Sequence, residues 1–133
     1  SKSVLHLHGE ILHARSSVDA RMRYPLLKGG IALGDVCDKG SQLRPDVVWF
    51  GASLPLDALN AAHKATLECQ AFFSVGTSGL VQPAASLAHT ARQKGAVVIE
   101  INLDPTPLTP HVDFALHGKS GDILPRLVEE VWG

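Results

Sequence analysis

From residue 43 onward the sequence alternates β-prone runs with amphipathic stretches, and this alternation limits the possible folds more than any other feature. Val47-Val48-Trp49-Phe50, introduced by Pro45, reads as a strand, and the runs at 71–75, 97–102 and 114–117 read the same way. Between them, Pro55, Leu56, Leu59, Ala62, Ala65, Thr66 and Cys69 share one face of a helix that opens near Asp57. A second helix is expected from Pro83 to about Lys94, stopped by Gly95. A third is expected from Ile123 to Trp132, with Pro125 in its first turn. The three prolines between Asp104 and Pro110 restrict that stretch to loop. Strands that alternate with helices imply an α/β fold, with a parallel sheet, helices on both faces, and ligands at the carboxyl ends of the strands. Upstream, Val4 to Glu10 reads as a strand ending at His8-Gly9, and 24–40 as mostly loop.

The most informative connection follows the second of these strands. Gly76 and Gly79 bracket Thr77 and Ser78 between a buried strand and the expected helix at Pro83. Glycine lets backbone approach a ligand, the two hydroxyls can donate, and amides at a helix N-terminus favour negative charge, so the turn can receive phosphate. It is also an ordinary strand-to-helix connection, and it matches neither G-x-x-x-x-G-K-[ST] nor G-x-G-x-x-G.

A chain of 133 residues can bury a core without staples. Its formal charge of −1, with both signs scattered along the chain, gives no electrostatic pull toward nucleic acid or an anionic membrane surface. No run approaches the roughly 20 apolar residues of a membrane span. Cys37 and Cys69 are too few for a disulfide framework, and a reduced, cytoplasmic setting is the default expectation.

Taken together, the segments resemble the C-terminal portion of a sirtuin, the NAD-dependent protein deacylase family. His8-Gly9-Glu10 resembles the family's H-G-[ES] segment, and Arg44-Pro45-x-Val47-Val48-Trp49-Phe50-Gly51 its R-P-x-V-V-x-F-G segment. Gly76-Thr77-Ser78-Gly79 with Pro83-Ala84 resembles its G-T-S-x-x-V-x-P-A segment, and Asn102 stands where the family has a strand-end asparagine. The motifs occur in the family's order and cover almost all of the chain from His8 onward.

The resemblance implies a Rossmann-like sheet and a single, partial catalytic domain over 1–133, with 14–42 as a small irregular insert. It implies removal of acyl groups from protein lysines with NAD, giving nicotinamide and O-acyl-ADP-ribose. His8 would be the general base on a ribose hydroxyl, a task that suits imidazole near neutral pH. By residue type alone His6 and His13 are equal candidates, and a polar residue at a strand end is the plain alternative. Val47, Val48, Trp49, Phe50 and Gly51 would receive the acyl-lysine peptide by strand addition, although such a run is also an ordinary core strand. Gly76, Thr77 and Ser78 would contact the ribose and phosphates of NAD. Asn102 would bond the adenosine ribose, where its plain role is that of a turn residue. Lys119 and Ser120, in Gly118-Lys119-Ser120, resemble the loop beside adenine.

Two departures from the family pattern matter. Most members bind a structural zinc through two pairs of cysteines between the histidine motif and the R-P-x-V-V strand, where this chain has only Cys37. One thiolate cannot make a closed tetrahedral site, so no zinc is expected. Ala52 also replaces the family's glutamate after Phe50-Gly51. The family's first glycine-rich turn, its G-I-P-x-F-R loop and its Q-N-x-D segment would all precede His8, as would the tyrosine and arginine that admit acidic acyl groups; Tyr24 and Arg21 are not in that context. The resemblance thus implies either the C-terminal piece of a full enzyme, completed by an N-terminal half, or a shortened relative that binds NAD or ADP-ribose without catalysis of its own. A Rossmann-like middle domain of a thiamine- or flavin-dependent enzyme shares the layout, but His8-Gly9 and the R-P-x-V-V-W-F-G strand argue against it.

Overall fold

The computed structural model describes residues 3–26 and 30–133. The chain divides into two compact units, Ser1–Leu59 and Asn60–Gly133.

In the first unit, β1 (Gly9–Ser16) is the centre of an antiparallel sheet, flanked by β2 (Arg23–Pro25) and β3 (Leu43–Val47). The register of β1 on β3 shifts between Glu10 and Ala14, a bulge that leaves Ile11 and Leu12 exposed. The strand expected over residues 4–10 therefore begins only at Gly9. Leu7 and His8 form a turn before it.

The expectation of a parallel strand over 47–50 is corrected. The strand runs from Leu43 to Val47 and is antiparallel to β1. Beyond it the Trp49 carbonyl accepts the Ala52 N–H at 3.0 Å, Gly51 takes φ +82°, and Phe50 is 95% exposed. High β-propensity marks side chains that suit a pleated surface, but the hydrogen-bonding partner decides where pairing stops. Pro45 lies inside β3, which is consistent with its place at the edge of the sheet.

Helix α1 (Leu56–Glu68) carries the chain from the first unit into the second and matches the expected span. The second unit is built on a parallel sheet in the order β4 (Ala71–Val75), β5 (Val97–Asn102), β6 (Phe114–His117). These are three of the four expected parallel strands, and the architecture is α/β and Rossmann-like. Helix α2 (Ser86–Gln93) packs on β4 and β5 through Ala88 and Ala91, whose small side chains let the helix come close to Val98. Ala96 and Leu108 complete this core, with Phe72 and Val112 against it. Gly95, at φ +90°, ends α2 as expected.

Two helix starts are corrected. Residues 82–85 are a turn, so α2 begins at Ser86 rather than Pro83. The Ser86 and Leu87 amides are already bonded to the carbonyls of Pro83 and Ala84. The last helix, α3 (Ser120–Trp132), begins before Ile123, which puts Pro125 inside the helix rather than in its first turn. It starts directly after β6 because Lys119 takes an extended conformation and its carbonyl accepts the N–H groups of Asp122 and Ile123.

Candidate functional site

The sequence-predicted residues fall into two groups, one in each unit. In the first unit, His8 lies in the exposed turn ahead of β1, and its carbonyl accepts the Val48 N–H at 3.1 Å. The histidine is thus next to the segment 47–51 that sequence reasoning assigned to peptide binding. Gly9 makes this approach possible. It has φ +83°, and a Cβ there would lie 2.1 Å from the Asp46 carbonyl oxygen.

The three histidines that were equal by type differ in their surroundings. The ring of His6 is 3.3 Å from Glu10. His13 Nδ1 is 3.8 Å from the same carboxylate, buried, and without a hydrogen-bond partner. His8 is exposed, and among the described residues its ring pairs with no carboxylate. Glu10 instead binds Arg23, whose guanidinium donates to Glu10 Oε2 and, through Nε, to Asp46 Oδ2, both at 2.6 Å. Arg15 lies 3.8 Å from the other oxygen of the buried Asp46 carboxylate. The Arg23 hydrogen bond holds the Glu10 carboxyl below its ordinary value, against partial desolvation. Sequence reasoning missed this network because its members are up to 36 residues apart and only the antiparallel register brings them together.

Where the family's cysteine pairs would fall, Ser16 is buried and its hydroxyl oxygen accepts from the Val18 and Asp19 amides and from the Cys37 thiol. Asp19 in turn takes Arg21 and Lys39. The hydrogen bond from Arg21 and then that from Lys39 pull its carboxyl well below the usual range. Among the described residues no group of three or more His, Cys, Asp or Glu side chains is placed to hold a metal ion.

The second unit gathers the other predicted residues at the carboxyl ends of β4, β5 and β6. Gly76 N–H donates to the Ile101 carbonyl at 2.9 Å, and Gly118 N–H to the Asn102 carbonyl at 2.9 Å. Asn102 Nδ2 donates to the Thr77 carbonyl at 2.7 Å, and its Oδ1 accepts from Leu103 N–H at 3.0 Å. The asparagine thus ties the 76–78 turn to the end of β5. The amides of Thr77 and Ser78 have no acceptor within the described residues, and both residues are exposed. The turn therefore offers two free N–H groups and two hydroxyls, a donor set that fits phosphate and ribose oxygens. Helix α2 starts at Ser86, well downstream of the turn, whereas α3 opens at Ser120, two residues after Gly118, whose N–H bonds the Asn102 carbonyl.

An open recess of about 450 Å³ in the first unit, lined mainly by Ile11, Leu26, Ile31, Leu33 and Leu43, contains none of the peptide-segment residues and not His8.

The Sir2 family model matches residues 1–83. An NAD-dependent protein deacylase of Pyrococcus furiosus is 41% identical over 139 residues, covering 98% of this chain and 55% of the relative. NAD-dependent protein deacylase 2 of Pyrobaculum aerophilum is 45% identical over 132 residues, covering 98% of this chain and 53% of the relative. The chain thus spans about half the length of the curated relatives it matches. Among solved structures, a Sir2 homolog–NAD complex superposes with a TM-score of 0.89 at 42% identity, covering 97% of this chain and 51% of that one. A Sir2–p53 peptide–NAD+ structure superposes with a TM-score of 0.81 at 28% identity, covering 98% and 56%.

Proposed function

The chain belongs to the Sir2 family, and from that premise we propose that it forms part of an NAD-dependent protein-lysine deacylase. The observation that carries this reading is the meeting of the 76–78 turn, Asn102 and the start of α3 at adjacent carboxyl ends of one parallel sheet. In an open α/β sheet that is where a nucleotide binds. Relatives bound to NAD and to ADP-ribose support the choice of ligand. When bound, NAD supplies an electrophilic ribose carbon with nicotinamide as its leaving group.

In this reading the free amides of Thr77 and Ser78 and their hydroxyls hold phosphate and ribose oxygens, Asn102 offers its second amide hydrogen to the adenosine ribose, and Lys119 and Ser120 border the adenine. Residues 47–51, from the end of β3 into the turn that follows it, take the acyl-lysine peptide, with Trp49 and Phe50 exposed to meet it. His8, whose imidazole pairs with no carboxylate among the described residues, accepts a proton from a ribose hydroxyl. The overall change is acyl transfer from lysine to ADP-ribose. The reading includes no zinc, no nucleic-acid or membrane partner, a single partial domain with 14–42 as its insert, and a cytoplasmic setting, for which the two free thiols are the support. No helix among the described residues is long and apolar enough to cross a membrane.

A second reading, an ADP-ribose-binding half-site without chemistry, rests on the same cluster of the 76–78 turn and Asn102, whose donors suit the adenosine half of NAD. Mass spectrometry of an acyl-lysine peptide incubated with NAD separates the two. The first reading requires that deacylated peptide and O-acyl-ADP-ribose appear in equal amounts when the chain is extended upstream of Ser1. Their absence under conditions where ADP-ribose binds leaves the second.

A further inference from the structure

Glu100 is 1% exposed, and no cation pairs with it among the described residues. It lies on β5 two residues before Asn102 and shares a face with Val98, which belongs to the core under α2. A buried carboxyl group is costly unless its oxygens are satisfied, and a β-branched apolar residue would fill this position more cheaply. Both oxygens do have partners. The Thr106 hydroxyl donates to Oε1, and the Thr109 hydroxyl donates to Oε2 at 2.5 Å. The two threonines also bind their own loop: Thr109 Oγ1 accepts from Thr106 N–H at 2.8 Å, and Thr106 Oγ1 from Leu108 N–H at 3.1 Å. Each hydroxyl therefore gives its hydrogen to Glu100 and a lone pair to the backbone. The 103–109 segment is folded back onto β5, with Leu108 in the core.

The start of that segment matters for the nucleotide site. Leu103 N–H is the donor that fixes Asn102 Oδ1, and this leaves Nδ2 aimed at the Thr77 carbonyl. A continuous path of hydrogen bonds, joined by the backbone from Leu103 to Thr106, links the buried carboxylate to the exposed turn. We propose that Glu100 is a positioning residue for the nucleotide site, holding the loop after Asn102 through Thr106 and Thr109, so that the asparagine and the 76–78 turn are set for the adenosine ribose of NAD. The inference rests on the nucleotide reading given above and adds to it a residue that touches no ligand.

The test uses full-length protein and compares Glu100→Gln, the double variant Thr106→Val/Thr109→Val, the double variant Thr106→Ser/Thr109→Ser, and Asn102→Ala. ADP-ribose affinity is read by calorimetry and NAD-dependent deacylation by steady-state kinetics, with circular dichroism confirming that each variant is folded. Asn102→Ala is expected to weaken ADP-ribose binding roughly tenfold, in line with the loss of one well-placed hydrogen bond. Glu100→Gln and the valine pair are expected to lose about three- to tenfold in affinity. They should raise KM for NAD in proportion, with kcat and the peptide KM unchanged. The serine pair keeps both hydroxyls and is expected to bind like wild type. Folded valine-pair and Glu100→Gln proteins that bind ADP-ribose normally while Asn102→Ala does not would overturn the clamp and leave the nucleotide reading standing. A serine pair as weak as the valine pair would also overturn it, because the hydroxyls would then not be the cause. Unchanged binding by Asn102→Ala would overturn the nucleotide reading itself, and the clamp with it.

Discussion

Replacing Gly9 by alanine tests how the histidine turn is held against β3. The added Cβ would lie 2.1 Å from the Asp46 carbonyl oxygen and 2.8 Å from its carbon, both of them backbone atoms that cannot rotate away. The residue would also have to keep φ +83°, a left-handed conformation that costs a non-glycine residue about 1–2 kcal/mol. Relief requires β1 and β3 to separate at Gly9–Val47, which stretches the Val48 N–H to His8 carbonyl bond, an interaction of about 0.5–1.5 kcal/mol. The sum is about 1.5–3.5 kcal/mol, before any disturbance of the Arg23–Asp46 pair. Gly76→Ala is the internal control: it has φ +62° and nothing within 4 Å of an added Cβ, so only the conformational cost of about 1–2 kcal/mol applies. Urea denaturation of both variants gives the comparison, with Gly9→Ala expected to be the less stable by about 1 kcal/mol or more. If Gly9→Ala is as stable as Gly76→Ala, then the close approach of the turn to β3 is wrong.

Stability should fall in acid. Glu10 and Asp19 both have folded-state values held below the ordinary carboxylate range, so the stability they contribute is fully present above about pH 4–5 and is lost as pH falls through the depressed values. Denaturant midpoints measured from pH 7 downward should drop below that range, and the drop should be shallower in Glu10→Gln and Asp19→Asn; equal slopes would contradict the ion-pair assignments. Purified protein should contain no zinc by elemental analysis, and its unfolding should be indifferent to a chelator. One zinc per chain would require ligands that the described residues do not bring together.

The parallel half of the fold was legible because β-strands and helices of the second unit have local signatures: Val97-Val98-Ile99 for β5, Gly95 for the end of α2, and Pro105, Pro107 and Pro110 for the loop. Asn102 and the 76–78 turn could be placed together because adjacent parallel strands end at the same edge of the sheet. The first unit was less legible. Its strands are ordered by long-range register, and a bulge between Glu10 and Ala14 hides the alternation that would reveal β1. Val47 to Phe50 misled because propensity carries no information about where the partner strand stops. His6, His8 and His13 are equal by type, and choosing His8 rests on the family motif; the structure adds only that His6 lies beside Glu10 and that the Nδ1 of His13 is buried. Glu100 was passed over because nothing in Val-Val-Ile-Glu-Ile-Asn indicates that its carboxylate turns inward to Thr106 and Thr109.

The central claim is most directly tested by NAD-dependent deacylation of an acyl-lysine peptide. Ser1–Gly133 alone would be compared with the chain extended upstream, each as wild type, His8→Ala, His6→Ala and His13→Ala. The account predicts poor turnover by the 133 residues alone, because a misplacement of about 1 Å at the reacting atoms can cost about 100-fold. It predicts turnover by the extended form that falls by about 10²–10⁴-fold in His8→Ala, the usual contribution of a general base, and by far less in the other two. Undiminished turnover in extended His8→Ala would contradict the assignment of the base, and robust turnover by the short chain would contradict its description as half of a site.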